Sequence, residues 1–232
     1  MDIMDDFNKN PVGFLQRQIQ TTATLKKNIW NLALDMFANM KKETSGLVNE
    51  ILMKSKDFPD IEIEYKEIDA LEFNLKFGSD VLIFALQTNI VTFNTVHPLM
   101  KTKYLQEKKE LRYFAQVMIY DFLSDSIKYD RTEDSGYLLA RLLINGENHF
   151  MVEGAQGLNY LINGIEHIEA TSENLSLLVK KTMAVAIGSD LFGPDFKQIQ
   201  YITLGQKIAK NKEIGHGQKI GFQMNNDADI EG

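Results

Sequence analysis

Apolar residues first recur with a helical period. Leu15, Ile19, Thr22, Leu25, Ile29, Leu32, Met36 and Met40 follow one another at three- and four-residue steps, with Trp30 and Phe37 widening the same face. Asn10-Pro11 supplies a start signal, an N-cap residue followed by proline at the first helical position. Thr44-Ser45-Gly46 interrupts the stripe, and Leu47, Val48, Ile51 and Leu52 resume it. Residues 10–55 are therefore expected to be helical, either as one helix bent at the glycine or as two helices in a hairpin. Such a helix packs on its own sheet or on a second copy.

After Phe58-Pro59-Asp60 the period becomes two. Ile61, Ile63 and Tyr65 alternate with Glu62, Glu64 and Lys66, and Leu71, Phe73, Leu75 and Phe77 alternate with Glu72, Asn74 and Lys76. Both runs predict strands with one face on the core and one in water. Gly78-Ser79-Asp80 turns into Val81–Leu86, apolar on both faces, which can continue through Ile90, Thr92 and Phe93. Short links favour antiparallel pairing. Residues 97–128 fit either period; a short helix over 98–109 followed by a strand is the reading adopted. Tyr129 to Gly136 reads as a loop.

Two apolar runs then flank Asn145-Gly146. A two-residue turn there, with φ > 0 at both central positions, would set Ile144 opposite Glu147, Leu142 opposite His149 and Arg141 opposite Phe150. Beyond the turn chemistry of Gly154-Ala-Gln-Gly157 and Asn163-Gly164, a helix is expected from Ser172. Leu175, Leu178, Val179, Met183 and Ala186 form its stripe and Gly188 its end. Phe192-Gly193-Pro194-Asp195 opens a last short helix containing Phe196, Ile199 and Ile202, and residues 211–232 read as a flexible polar tail.

The expected fold class is α+β: an antiparallel sheet of five or six strands, a long N-terminal helical region and C-terminal helices. Residues 1–210 form one domain, with helix over 10–55, mainly sheet over 60–153 and helices over 170–210.

Composition narrows the function classes. The 232-residue chain is 44% hydrophobic and 25% charged, ordinary values for a globular protein. Its longest apolar run, Val81–Leu86, is far short of a bilayer span. With no cysteine, disulfides and thiol chemistry are excluded. The opening residues Met-Asp-Ile-Met-Asp-Asp lack a secretory pattern, so a cytoplasmic location without membrane contact is expected. A net charge of −7, with four arginines against twenty-one lysines, argues against nucleic acid as partner.

Candidate chemistry gathers near the hairpin. Glu147, His149, Met151 and Glu153 share one strand face, and Asp134 in the preceding loop could join His149 and Glu153 around a divalent metal. The spacing matches no established metal signature, and charged rows also protect edge strands. Arg141 interrupts a run of leucines; buried, it must meet a carboxylate, with Asp134 and Asp125 the nearest candidates, or recognise an anionic ligand. Asp121, Asp125, Asp130, Glu133 and Asp134 form an acidic stretch without EF-hand spacing, and turn and cap roles explain most of them. Asp60, Glu64 and Lys66 superficially match the acid–acid–lysine set of metal-dependent nucleases, but Asp60 and Glu64 are too close in sequence to come from adjacent strands. His97, His167 and His216 stand alone, and the glycines from Gly205 to Gly221 lack the strand-to-helix context of a phosphate loop.

The favoured function is a non-enzymatic binding or regulatory protein with a small-molecule or protein partner. Its speculative ligand-binding residues are Arg141, His149, Glu153 and Asp134. The alternatives are a metal-dependent hydrolase or nuclease using Asp134, His149 and Glu153, and a structural oligomer, a homodimer in the simplest case, built through the N-terminal helix. No cofactor is indicated.

Overall fold

The computed structural model describes residues 3–55, 62–132, 134–154, 158, 165, 168–189, 201 and 203–205. The proline break at Phe58-Pro59-Asp60, Glu133, His167, His216, the short helix around Phe196 and the tail from 211 lie outside the described residues.

A short helix α1 (Ile3–Lys9) precedes an unbroken helical run: α2 (Pro11–Gln18), one wide π-helical turn (Ile19–Ala23) and α3 (Thr24–Lys54). Asn10 caps α2, its side-chain oxygen accepting from the Gly13 N–H at 2.9 Å. Of the two possibilities at Gly46, the single helix holds: α3 runs straight through. The irregularity lies upstream instead. Thr21 Oγ1 bonds back to the Arg17 carbonyl at 2.7 Å and Thr24 Oγ1 to the Ile19 carbonyl at 3.2 Å, drawing backbone acceptors out of the regular ladder where the turn widens.

Six strands follow as an antiparallel meander in the order β1-β2-β3-β4-β5-β6: Ile63–Glu67, Glu72–Phe77, Asp80–Val91, Phe114–Leu123, Tyr137–Ile144 and Phe150–Gly154. The ambiguous region resolves as a covering segment of short turns, Pro98–Lys101, α4 (Lys103–Glu107) and Lys109–Arg112, followed by β4. After β4 comes α5 (Ser124–Lys128), and after β6 comes α6 (Ser172–Ile187), capped by Thr171 and bearing the predicted stripe, fully buried.

Period-two alternation separates the sheet faces. Phe73, Leu75, Leu82, Phe84, Val117, Ile119, Leu142, Ile144, Phe150 and Val152 point at α3 and α6. Phe73 and Phe84 stack with ring centroids 4.5 Å apart. The opposite face carries a second core, in which Leu99, Met100, Leu105 and Leu111 of the covering segment bury Phe114, Leu143 and Met151. Lys41 ties α3 to the first strand: its Nζ donates to Glu67 Oε1 at 2.8 Å and to the Asp69 carbonyl at 2.5 Å, so a buried ammonium has the partners it requires. Edge strand β1 presents the exposed charges of Glu64 and Lys66. Beside β6, Phe150 N–H donates to the Ile168 carbonyl and Ala170 N–H to the Asn148 carbonyl, each at 2.9 Å.

One sequence expectation holds here and one is corrected. The two-residue hairpin lies at Gly78-Ser79, where Phe77 pairs with Asp80 and Gly78 has φ +57°, the pattern of a type II′ turn. At Asn145-Gly146 the connection is longer: Ile144 pairs with Phe150, Leu142 with Val152 and Arg141 with Glu153. The register differs because Asn145 is buried and its Oδ1 accepts from the N–H groups of Glu147 (3.0 Å) and His149 (3.2 Å). The Asn148 N–H bonds the Asn145 carbonyl, and the left-handed residue is Asn148 at φ +58°.

Candidate functional site

The corrected register decides what the hairpin polar residues can do. Arg141 and Glu153 lie on the face of Leu143 and Met151, one step further along each strand. Arg141 Nε donates to Glu153 Oε2 at 2.9 Å, and Nη2 bonds the same oxygen. The other oxygen, Oε1, lies 3.4 Å from His97 Nε2. His97 accepts through Nδ1 from the Leu99 N–H at 3.3 Å, which leaves Nε2 as the donor toward Glu153. Phe93 completes the group, stacked on His97 at 4.3 Å and lying 5.1 Å beneath the Arg141 guanidinium. The carboxylate that satisfies Arg141 is thus Glu153, where sequence distance pointed to Asp134 or Asp125. These contacts latch the start of the covering segment onto the sheet.

A second group sits at the hairpin tip. The Tyr104 hydroxyl donates to Glu147 Oε2 at 2.6 Å, accepts from Asn145 Nδ2 at 3.0 Å and lies 3.3 Å from His149 Nδ1. Lys108 Nζ reaches Glu147 Oε1 at 2.5 Å. The hydrogen bond from Lys108, then that from Tyr104, holds the Glu147 carboxyl below the usual carboxylate range. A carboxylate stabilised in this way is a weak proton acceptor, the reverse of what a general base requires.

Asp134 belongs to neither group. It accepts from Ser126 Oγ at 2.6 Å and faces Arg131 at 3.7 Å, bracing the loop between α5 and β5. The structure therefore joins Arg141 to Glu153 but places Asp134 and His149 in separate networks. Among the described residues no three His, Asp or Glu side chains are placed to hold a metal ion. Glu64 and Lys66 of the nuclease-like pattern sit on the exposed face of β1.

Asp121 departs furthest from ordinary carboxylate behaviour. Burial, with the nearby Asp80 charge, pushes the Asp121 carboxyl up to about 6, and its Oδ1 is buried without a hydrogen-bond partner. Asp121 stands opposite Leu82 on β3, on the helix-covered side of the sheet.

The largest departure from expectation lies in the long helix. Ile29, Met36 and Met40 are buried as the stripe predicts, whereas Leu15 and Ile19 are 50% and 64% exposed, and Val12 in the same row is 67% exposed. Neither α2 nor the wide turn contains a buried residue. Helix α1 folds back on α2 through an edge-to-face Phe7–Phe14 contact at 5.8 Å and an Arg17–Asp6 ion pair at 2.7 Å, leaving the apolar row open. Residues 11–23 thus form an arm reaching beyond the sheet. From Phe7 to Leu34 the chain carries Lys9, Arg17, Lys26 and Lys27 and no acidic residue. Among the described residues no helix is long and apolar enough to cross a membrane. Compared with known proteins, the chain matches no family model, no curated protein and no solved structure.

Proposed function

We propose that the chain is a cytoplasmic, non-enzymatic binding or regulatory protein that engages a protein partner through the helical arm, residues 11–23. The observation that carries this reading is the uncovered row Val12, Leu15 and Ile19 on a helix with no buried residue of its own. A helix of that length, containing Gly13 and two adjacent threonines, has marginal stability alone in water. An apolar row on such a helix gains its stability by burial against another surface, the logic of a helix laid into a groove.

The polar residues near the hairpin support the same division of labour. Arg141, Glu153 and His97 bond one another, as do Tyr104, Glu147, Lys108 and Asn145, so their chemistry fastens the covering segment to the sheet. The hydrolase reading loses ground because Asp134, His149 and Glu153 occupy three different networks.

Native mass spectrometry of the purified chain tests the proposal against the Leu15→Glu/Ile19→Glu variant. A bound polypeptide mass on the parent chain, lost in the variant, is expected. A mass retained by the variant, or no bound polypeptide on either, contradicts the reading. Melting with magnesium, manganese or zinc tests the hydrolase alternative, for which a metal-dependent rise would be required.

A further inference from the structure

We infer that the outer edge of β1 is a self-association surface, at which two copies pair antiparallel about a two-fold axis through Tyr65. The pairing joins two six-stranded sheets into one continuous sheet. It does not involve the arm.

The backbone fixes which residues can pair. Gly78 N–H donates to the Glu62 carbonyl at 3.0 Å and Ile68 N–H to the Glu72 carbonyl at 3.1 Å. Glu62, Glu64, Lys66 and Ile68 therefore turn their peptide groups toward β2, and Ile63, Tyr65 and Glu67 turn theirs outward. No described residue bonds the outward groups, because β1 has β2 as its only neighbour in the sheet. An antiparallel partner strand must set one outward residue against another.

Charge then selects one register. Glu64 and Lys66 are exposed on the face away from α3, and neither has an ion-pair partner among the described residues. Lys76, opposite Glu64 on β2, is taken by Glu62. An axis through Glu64 would oppose two Glu64 side chains, and one through Lys66 would oppose two Lys66 side chains. An axis through Ile63 sets Glu62 against Glu64, and one through Glu67 sets that carboxylate against its own copy. With the axis through Tyr65, Glu64 of each copy faces Lys66 of the other, and Ile63 faces Glu67. That register satisfies every outward group and matches the charges twice, whereas its neighbours are penalised. The contact is isologous, so association closes at the dimer.

The helix-covered side has room for the second strand. Ile63 and Tyr65 are only partly buried there. Beside them runs a groove of about 650 Å³ between α3 and β1, whose lining includes Leu34, Ala38, Tyr65 and Glu67. The second copy's Ile63 and Tyr65 project from the same side of the joined sheet into this space. Strand and groove lining together supply twelve residues per copy, fewer than the ~20–30 a side of a stable interface, so dimerisation is concentration-dependent.

Sedimentation velocity of the full-length chain across a concentration series tests the inference by charge reversal. Glu64→Lys and Lys66→Glu each place like charges opposite one another at both contacts and should weaken the parent dimer about tenfold or more. Glu64→Lys/Lys66→Glu in one chain should restore it, and so should an equimolar mixture of the two single variants. Leu15→Glu/Ile19→Glu should leave it unchanged. In native spectra a second copy adds one chain mass, which tells it apart from any other polypeptide on the arm. A strictly monomeric parent at its highest soluble concentration overturns the inference. So does a dimer indifferent to both reversals, a dimer abolished by the arm variant, or reversals that weaken association without rescue in the mixture.

Discussion

Arg141 and Glu153 face each other across β5 and β6, and one Glu153 oxygen takes hydrogen bonds from both Nε and Nη2 of the arginine. Both side chains are about three-quarters covered, 26% and 28% exposed. A pair so placed contributes less than its Coulomb attraction suggests, because both ions lose water, but removing one partner strands the other. Arg141→Met is expected to cost about 2–3 kcal/mol. Arg141→Met/Glu153→Leu should recover much of that loss, as measured by urea unfolding midpoints. Additive losses in the double variant would show that the two residues do not act as a pair.

The turn between β5 and β6 predicts an inverted pattern of tolerance. Gly146 lacks a positive φ, and a Cβ there would meet Ile29 at 3.6 Å, ordinary contact. Gly146→Ala should therefore change stability by less than ~0.5 kcal/mol. Asn148, at φ +58°, should accept glycine but lose about 1–2 kcal/mol as valine. Asn145→Ala removes the acceptor for two backbone N–H groups and the donor to Tyr104, at a cost of about 2 kcal/mol. Thermal melts of the four variants check the ranking; a Gly146→Ala loss exceeding that of Asn148→Val would restore the two-residue turn.

Asp121 gives the fold a pH dependence of definite sign. Its carboxyl is raised from 3.8 to about 6 in the folded chain, so the native state holds that proton more tightly than the unfolded state does. Ionised Asp121 is accordingly destabilising above about pH 6, and the penalty is relieved as pH falls toward 4. The side chain is only partly buried, and screening reduces the effect to about 1 kcal/mol. Asp121→Asn should raise the melting temperature at pH 7.5 and leave it unchanged near pH 4.5. An equal gain at both values would show that ionisation is not the cause.

Lys41 joins the long helix to the start of the sheet through Glu67 and the Asp69 carbonyl. Lys41→Ala leaves that carbonyl without its donor and the Glu67 carboxylate without its charge partner, and should cost about 1–3 kcal/mol. Lys41→Met, which keeps the stem, separates packing from charge. Equal denaturant midpoints for parent, Lys41→Ala and Lys41→Met would remove the tie from the stability of the fold.

Much of the architecture was legible in residue periodicity. Alternation over Leu71–Phe77 and the run Val81–Leu86 became β2 and β3, and the stripe from Leu175 to Ala186 became α6. Each is a local pattern answered by one buried face. The hairpin at Asn145 was legible as a reversal but not in its register. Asn-Gly offers both a left-handed pair and a side-chain acceptor, and burial of Asn145 selected the acceptor. The partner of Arg141 followed the register. Tyr104 and His97 lie in a segment whose period was mixed, so only long-range packing brings them to Glu147 and Glu153. The arm was hidden for a different reason: periodicity marks a helix face as apolar from Leu15 to Met40 without saying what covers it.

Hydrogen exchange through residues 11–23 tests most directly whether the arm owes its order to what it docks against. With the partner polypeptide bound, a docked arm predicts protected amides from Leu15 to Ala23 in the parent and in the control Gln16→Glu/Gln20→Glu. Leu15→Glu/Ile19→Glu should lose that protection, with β3 and β4 unchanged. Equal exchange of the arm amides in all three would contradict docking through Val12, Leu15 and Ile19.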